Sequence, residues 1–99
     1  MNAAELKDLM AKEAASIAEF LLPKGKKAWR EWKVGSINGE PGDSLSICIS
    51  GAKAGVWKDF ASGQAGDLLD LWMAVRGSTL VEAMDEAKQR LGVRDTMPE

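Results

Sequence analysis

The sequence contains no histidine and one cysteine, Cys48. Without histidine, imidazole acid–base catalysis is excluded and a Cys/His zinc site cannot be assembled. A single cysteine rules out an internal disulfide. No apolar run approaches the ~18 residues of a membrane span. Glu5, Lys7 and Asp8 stand where a signal peptide would place its basic and apolar regions, so a cytoplasmic protein is expected. There are no internal repeats, no low-complexity segments and no G-x-x-x-x-G-K-[ST] phosphate loop.

What is present suits one small globular domain: 99 residues, 45% hydrophobic and 28% charged. The net charge of −2 hides an asymmetry. From Lys24 to Lys58 there are seven basic residues (Lys24, Lys26, Lys27, Arg30, Lys33, Lys53 and Lys58) against three acids (Glu31, Glu40 and Asp43), a local charge of +4. The flanking helical parts carry six basic and twelve acidic residues, or −6. A basic centre between acidic helices points to an anionic partner for the centre.

Hydrophobic periodicity predicts three helices and three strands. Residues 2–22 read as one helix, opened by an Asn2/Glu5 capping box and ended by Pro23 and Gly25. Leu6, Leu9, Met10, Ile17, Phe20 and Leu21 form its apolar stripe. Lys24 to Lys33 reads as a basic linker entering a strand that holds Trp32 and Val34. Residues 36–43 contain Asn-Gly and Pro-Gly turn pairs. In residues 44–50, Leu45, Ile47 and Ile49 alternate with Ser44, Ser46, Cys48 and Ser50. Val56 to Phe60 makes the third strand. Asp67 is the expected N-cap of a second helix reaching about Val75 and stopped by Gly77. Thr79 and Glu82 form a capping box for a third helix, carrying Leu80, Met84, Ala87 and Leu91 and ending at Gly92. The expected fold is α+β: a small three-stranded antiparallel sheet with one N-terminal and two C-terminal helices. Residues 1–92 make the domain, and 93–99 a tail or linker to a downstream domain.

The stretch from Val56 to Ala87 resembles the second half of the zinc-binding, zinc-ribbon-type domain of bacterial and phage DNA primases. That family shows an aromatic strand, a C-x-x-C knuckle, a Gly-Gly-Asp turn, an apolar helix, a glycine, and a helix with Glu-Ala near its start. Ala65-Gly66-Asp67 matches the turn, Leu68, Leu69, Leu71 and Trp72 the apolar helix, and Gly77 and Glu82-Ala83 the remainder. The resemblance covers about residues 29–92 and is strongest over 55–92. The knuckle cysteines fall on Asp59 and Ser62, and the family's earlier C-x-x-H pair would lie near Trp32 to Ser36, where neither residue type occurs. Structural zinc takes four N/S-type ligands. A metal-free relative is therefore expected, without zinc or other cofactor. Packing by Trp29, Trp32, Trp57, Trp72 and Phe60 would replace the metal, since each buried ring removes roughly 150–250 Å² from water.

The resemblance implies a function in DNA replication. In primases this domain helps recognise single-stranded template and assists primer initiation, while a separate Mg²⁺-dependent domain polymerises. The chain would be the template-binding module of a primase or primase-helicase, a monomer as an isolated domain, with no catalytic site of its own. The expected DNA contacts are Lys24, Lys26, Lys27, Arg30, Lys33, Lys53 and Lys58, which can neutralise phosphates. Trp29 and Trp32 are read as core residues, with stacking on unpaired bases as the alternative. Gly63 to Asp67 reads as a capped turn, because Asp67 would repel a phosphate from the helix N-terminus. Asp59, Asp67 and Asp70 read as a turn residue, a cap and an exposed acid, not a Mg²⁺ cluster. Cys48 reads as a small packing residue, with no base to activate it. The competing reading is a protein-interaction module that tethers a downstream primase or helicase domain without touching DNA.

Overall fold

Five short strands, each paired with the next in sequence, form the centre of the molecule. A computed structural model describes residues 2–92. Its elements are α1 (Ala3–Lys12), α2 (Ala14–Leu21), β1 (Lys26–Ala28), β2 (Glu31–Val34), β3 (Leu45–Cys48), β4 (Trp57–Asp59), β5 (Ala65–Gly66), α3 (Leu68–Arg76) and α4 (Leu80–Leu91). The sheet is antiparallel throughout, in the order β1-β2-β3-β4-β5. The architecture is α+β as expected, but the three-stranded sheet and three helices are corrected to five strands and four helices. The tail expected at residues 93–99 lies outside the described residues.

The additional strands carry no hydrophobic signature, for a physical reason. β1 is an edge strand whose three residues are all exposed, so only backbone pairing to β2 defines it. β5 is two residues, Ala65 and Gly66, paired with Lys58 and Trp57. The long N-terminal helix is split at Glu13 (φ −112°, ψ 28°). Its buried stripe of Leu6, Met10, Ala14, Ile17, Ala18 and Leu21 continues across the break. The break re-aims the chain, so that α1 packs on α3 and α4 while α2 packs on α3 and β2.

One core joins the helices to one face of the sheet. Val34, Leu45, Ile47, Ile49 and Trp57 meet Leu6, Met10, Ile17, Leu69, Leu71 and Trp72, all buried. Strand alternation therefore sends the intervening residues of β2, β3 and β4 to the other face, which no helix among the described residues covers. Helix ends are closed by three capping boxes, Asn2/Glu5, Asp67/Asp70 and Thr79/Glu82, and by left-handed Gly77 and Gly92. Asp70 is thus the partner of the Asp67 cap rather than a free surface acid. Burial pushes the Asp67 carboxyl up, but the Asp70 N–H and Lys7 ammonium outweigh it and hold it below its usual range. Among the described residues no helix is long and apolar enough to cross a membrane.

The aromatics divide. Trp72 and Trp57 are buried, and their indole N–H groups donate to Glu86 Oε1 at 2.7 Å and to the Asp67 carbonyl at 2.7 Å. Trp32 packs half-buried against the core and donates to the Leu22 carbonyl at 3.0 Å. Its ring lies flat on Gly25, where any Cβ would overlap the indole nitrogen. Trp29 and Phe60, also expected to pack, are exposed.

At the positions where the resemblance places the knuckle cysteines, the side chains are engaged within the turn. Asp59, 3% exposed, turns its Oδ1 to the backbone N–H groups of Ala61 at 2.9 Å and Ser62 at 3.4 Å. Ser62 Oγ is engaged with Gln64. Among the described residues no three His, Cys, Asp or Glu side chains gather as ligands. These residues do not fit a zinc ion. The carboxylate itself closes the turn.

Candidate functional site

The uncovered face of the sheet follows directly from strand register. Lys26 lies opposite Lys33, Lys33 opposite Ser46, Ser46 opposite Lys58, and Lys58 opposite Ala65. These five positions form one line across all five strands, with lysine at three of them. Lys26 and Lys33 are like charges directly opposed on neighbouring strands, an arrangement that destabilises a sheet. Lys33 is relieved by Glu31 Oε1 at 3.3 Å, and Lys58 Nζ sits 5.3 Å from the centroid of the Phe60 ring. Lys26 has no such partner among the described residues.

Around this line lies a shallow cleft of about 500 Å³, bordered by Lys33, Lys53, Lys58, Val56, Cys48 and Phe60. Val56 is half exposed, and Phe60 is 66% exposed. Apolar surface interleaved with ammonium groups is the composition of a platform for unpaired bases and their phosphates. Glu31 stands inside the same face. Its Oε1 accepts the Ser46 hydroxyl at 2.6 Å. That hydrogen bond, reinforced by Lys33, holds the Glu31 carboxyl below its usual range, so it is ionised at neutral pH.

At one corner the β1–β2 hairpin turns through Trp29 and Arg30. Trp29 has φ +58° and is the one non-glycine residue with positive φ among those described. Position one of a two-residue hairpin turn favours glycine, because a Cβ there crowds the backbone. The left-handed conformation costs a bulky residue roughly 1–2 kcal/mol. Packing returns little of that, since Trp29 is 84% exposed, with the Arg30 guanidinium 5.1 Å from its ring centroid. A strained, outward tryptophan with no core role is the kind of feature that function retains. Trp29→Gly is expected to raise unfolding free energy by about 0.5–1 kcal/mol in urea denaturation, as relief of that strain outweighs glycine's larger loss of backbone freedom on folding. A loss of stability of that size would show that the ring has a packing role instead.

The expected basic residues do not all reach this face. Lys26, Lys33, Lys53 and Lys58 do, and Arg30 joins Trp29 at the hairpin corner. Lys27 pairs with Trp32 and so points to the opposite side of β1. Lys24 borders a separate hollow with Pro23, Ile37 and Glu40. Trp32 is anchored by its bond to Leu22 and packs against the core and Gly25, on the side of β2 opposite this face. Sequence reasoning missed Phe60, Val56 and Glu31. The signal for the first two was the strand period: placing Trp57 inward obliges Val56, Lys58 and Phe60 to face outward. Cys48 also lies on this face, its thiol donating to the Ser50 carbonyl at 3.1 Å. No known protein-family model matches the chain, and no curated protein matches it.

Proposed function

We propose that this domain binds single-stranded DNA on the uncovered face of its sheet, as the template-binding module of a cytoplasmic primase or primase-helicase supporting primer synthesis. The observation that carries the binding reading is the line Lys26–Lys33–Ser46–Lys58, flanked by the exposed rings of Trp29 and Phe60. Lysines alone would serve duplex and single strands equally. Two exposed rings favour unpaired bases, which stack at ~1–3 kcal/mol each. The assignment to priming rests on the resemblance over residues 29–92.

The test is fluorescence anisotropy of a labelled 12-nucleotide single strand and of its duplex at 50 and 200 mM salt. Expected are tighter binding of the single strand and weakening with salt. Each lysine that meets a phosphate contributes about 0.7 to the salt slope for a single strand. Lys33→Gln with Lys58→Gln lowers both affinity and slope. Lys24→Gln with Lys27→Gln removes the same charge from outside the cleft and leaves binding nearly unchanged. No binding at 50 mM salt, or equal effects of the two pairs, overturns the reading. A second reading, attachment to a neighbouring replication domain, is favoured by Leu80 and Val81, exposed in the first turn of α4. Copurification with such a domain that is lost in Val81→Glu would support it.

A further inference from the structure

Glu31 is the anomaly of the proposed binding face. The carboxylate relieves the opposition of Lys26 and Lys33, but on a surface that attracts phosphates it also repels the nucleic-acid backbone from that point. The carboxylate is nonetheless held in place. Ser46 donates to Oε1 at 2.6 Å from the adjacent strand, and Lys33 approaches the same oxygen at 3.3 Å. Both interactions use Oε1. Oε2 receives no hydrogen bond from another described residue, and the side chain is about half exposed. One oriented, ionised acceptor is therefore presented at the border of the cleft, on the strand row it shares with Cys48, while Phe60 lines the far end.

We infer that Glu31 is a specificity-determining residue: it accepts a hydrogen bond from the exocyclic amino group of a base laid on the sheet, selecting amino-bearing bases over thymine. An ionised carboxylate accepts and cannot donate. Cytosine, adenine and guanine each carry an amino donor, and carboxylate to cytosine N4 is a known recognition pairing. Thymine turns O4 to the same place, and two acceptors facing each other leave both unsatisfied. Ser46 and Lys33 serve as positioning residues that fix the carboxylate without touching the base.

The inference rests on the proposed binding function, and the experiment separates the two. Anisotropy is measured with oligo(dC) and oligo(dT) of 12 nucleotides at pH 7.5 and 50 mM salt, for the wild type, Glu31→Gln and Ser46→Ala. The expected wild-type result is oligo(dC) bound roughly 5- to 10-fold more tightly, the lower end of one base-specific contact. Glu31→Gln removes the charge and adds a donor that suits thymine O4, so the preference collapses toward unity as oligo(dT) binding strengthens. Ser46→Ala narrows the preference without reversing it. If Glu31 only repels phosphate, Glu31→Gln strengthens both oligomers equally and the inference fails while the binding reading stands. Equal wild-type affinities also overturn it. If neither oligomer binds, the binding function itself falls and the inference with it.

Discussion

Trp72→Ala is expected to lower unfolding free energy by about 3–5 kcal/mol, the range for truncating a large buried aromatic. Trp72 is 1% exposed and heads the fully buried side chains by volume. Its ring lies 5.5 Å from that of Phe20, which is itself covered by the Arg90 guanidinium at 4.1 Å. The indole N–H donates to Glu86 Oε1, which also takes the Arg76 Nε at 3.0 Å. Removing the ring opens a cavity between α2, α3 and α4 that rigid helices fill only in part. Against a typical total of about 5–15 kcal/mol, that loss is a large fraction of the stability. Trp72→Phe separates the contributions. It keeps most of the volume and loses the N–H, and Glu86 retains Arg76, so a cost of about 1–2 kcal/mol is expected. Urea denaturation with an unchanged m-value reads both. Equal costs for the two variants would show that the hydrogen bond, not the packing, holds this corner.

Asp59→Ala is expected to cost about 2–3 kcal/mol, as loss of a buried charge-assisted hydrogen bond does. The residue closes the β4–β5 turn from both ends. Its N–H donates to the Gln64 carbonyl at 2.7 Å, its carbonyl accepts the Gly63 N–H at 2.8 Å, and its Oδ1 takes the Ala61 N–H at 2.9 Å. Alanine preserves the backbone bonds and strands the side-chain partners. Asp59→Asn keeps an acceptor oxygen and should lose less than half as much. Thermal denaturation of the two variants checks the order. If alanine and asparagine behave alike, or both are neutral, the carboxylate does not hold the turn that the resemblance associates with a zinc knuckle.

Local chemistry was legible where it is written in short range. The capping residues Asn2, Asp67 and Thr79, the glycine stops at Gly77 and Gly92, and the Leu45/Ile47/Ile49 alternation all lie where spacing put them. Features defined by partners were not legible. β1 has no buried side chain, so its strand exists through pairing with β2. Trp29, expected in the core, is exposed. Nothing in K-K-A-W-R-E reveals that a two-residue turn would place that ring outside.

β4 shows how the site stayed hidden. Hydrophobicity alone would bury Val56 and Phe60 together and expose Asp59. The structure instead buries Trp57 and Asp59, because the indole reaches the Asp67 carbonyl and the carboxylate reaches its own turn. Two polar contacts thereby decide which face Lys58 and Phe60 occupy. Lys58 thereby joins Lys33 and Lys53 at one cleft.

The central claim is that the sheet face, not the helical side, meets nucleic acid. The most direct test is a two-dimensional ¹H–¹⁵N titration of the labelled protein with a 12-nucleotide single strand. The four indole N–H groups are built-in reporters: Trp29 projects from the hairpin, while Trp32, Trp57 and Trp72 donate to Leu22, Asp67 and Glu86. The expected result is a shift of the Trp29 indole and of the Lys33, Ser46, Lys58 and Phe60 amides, with the Trp72 indole unmoved. A titration that shifts Trp72 and the α4 amides instead, or shifts nothing at low salt, would contradict the account.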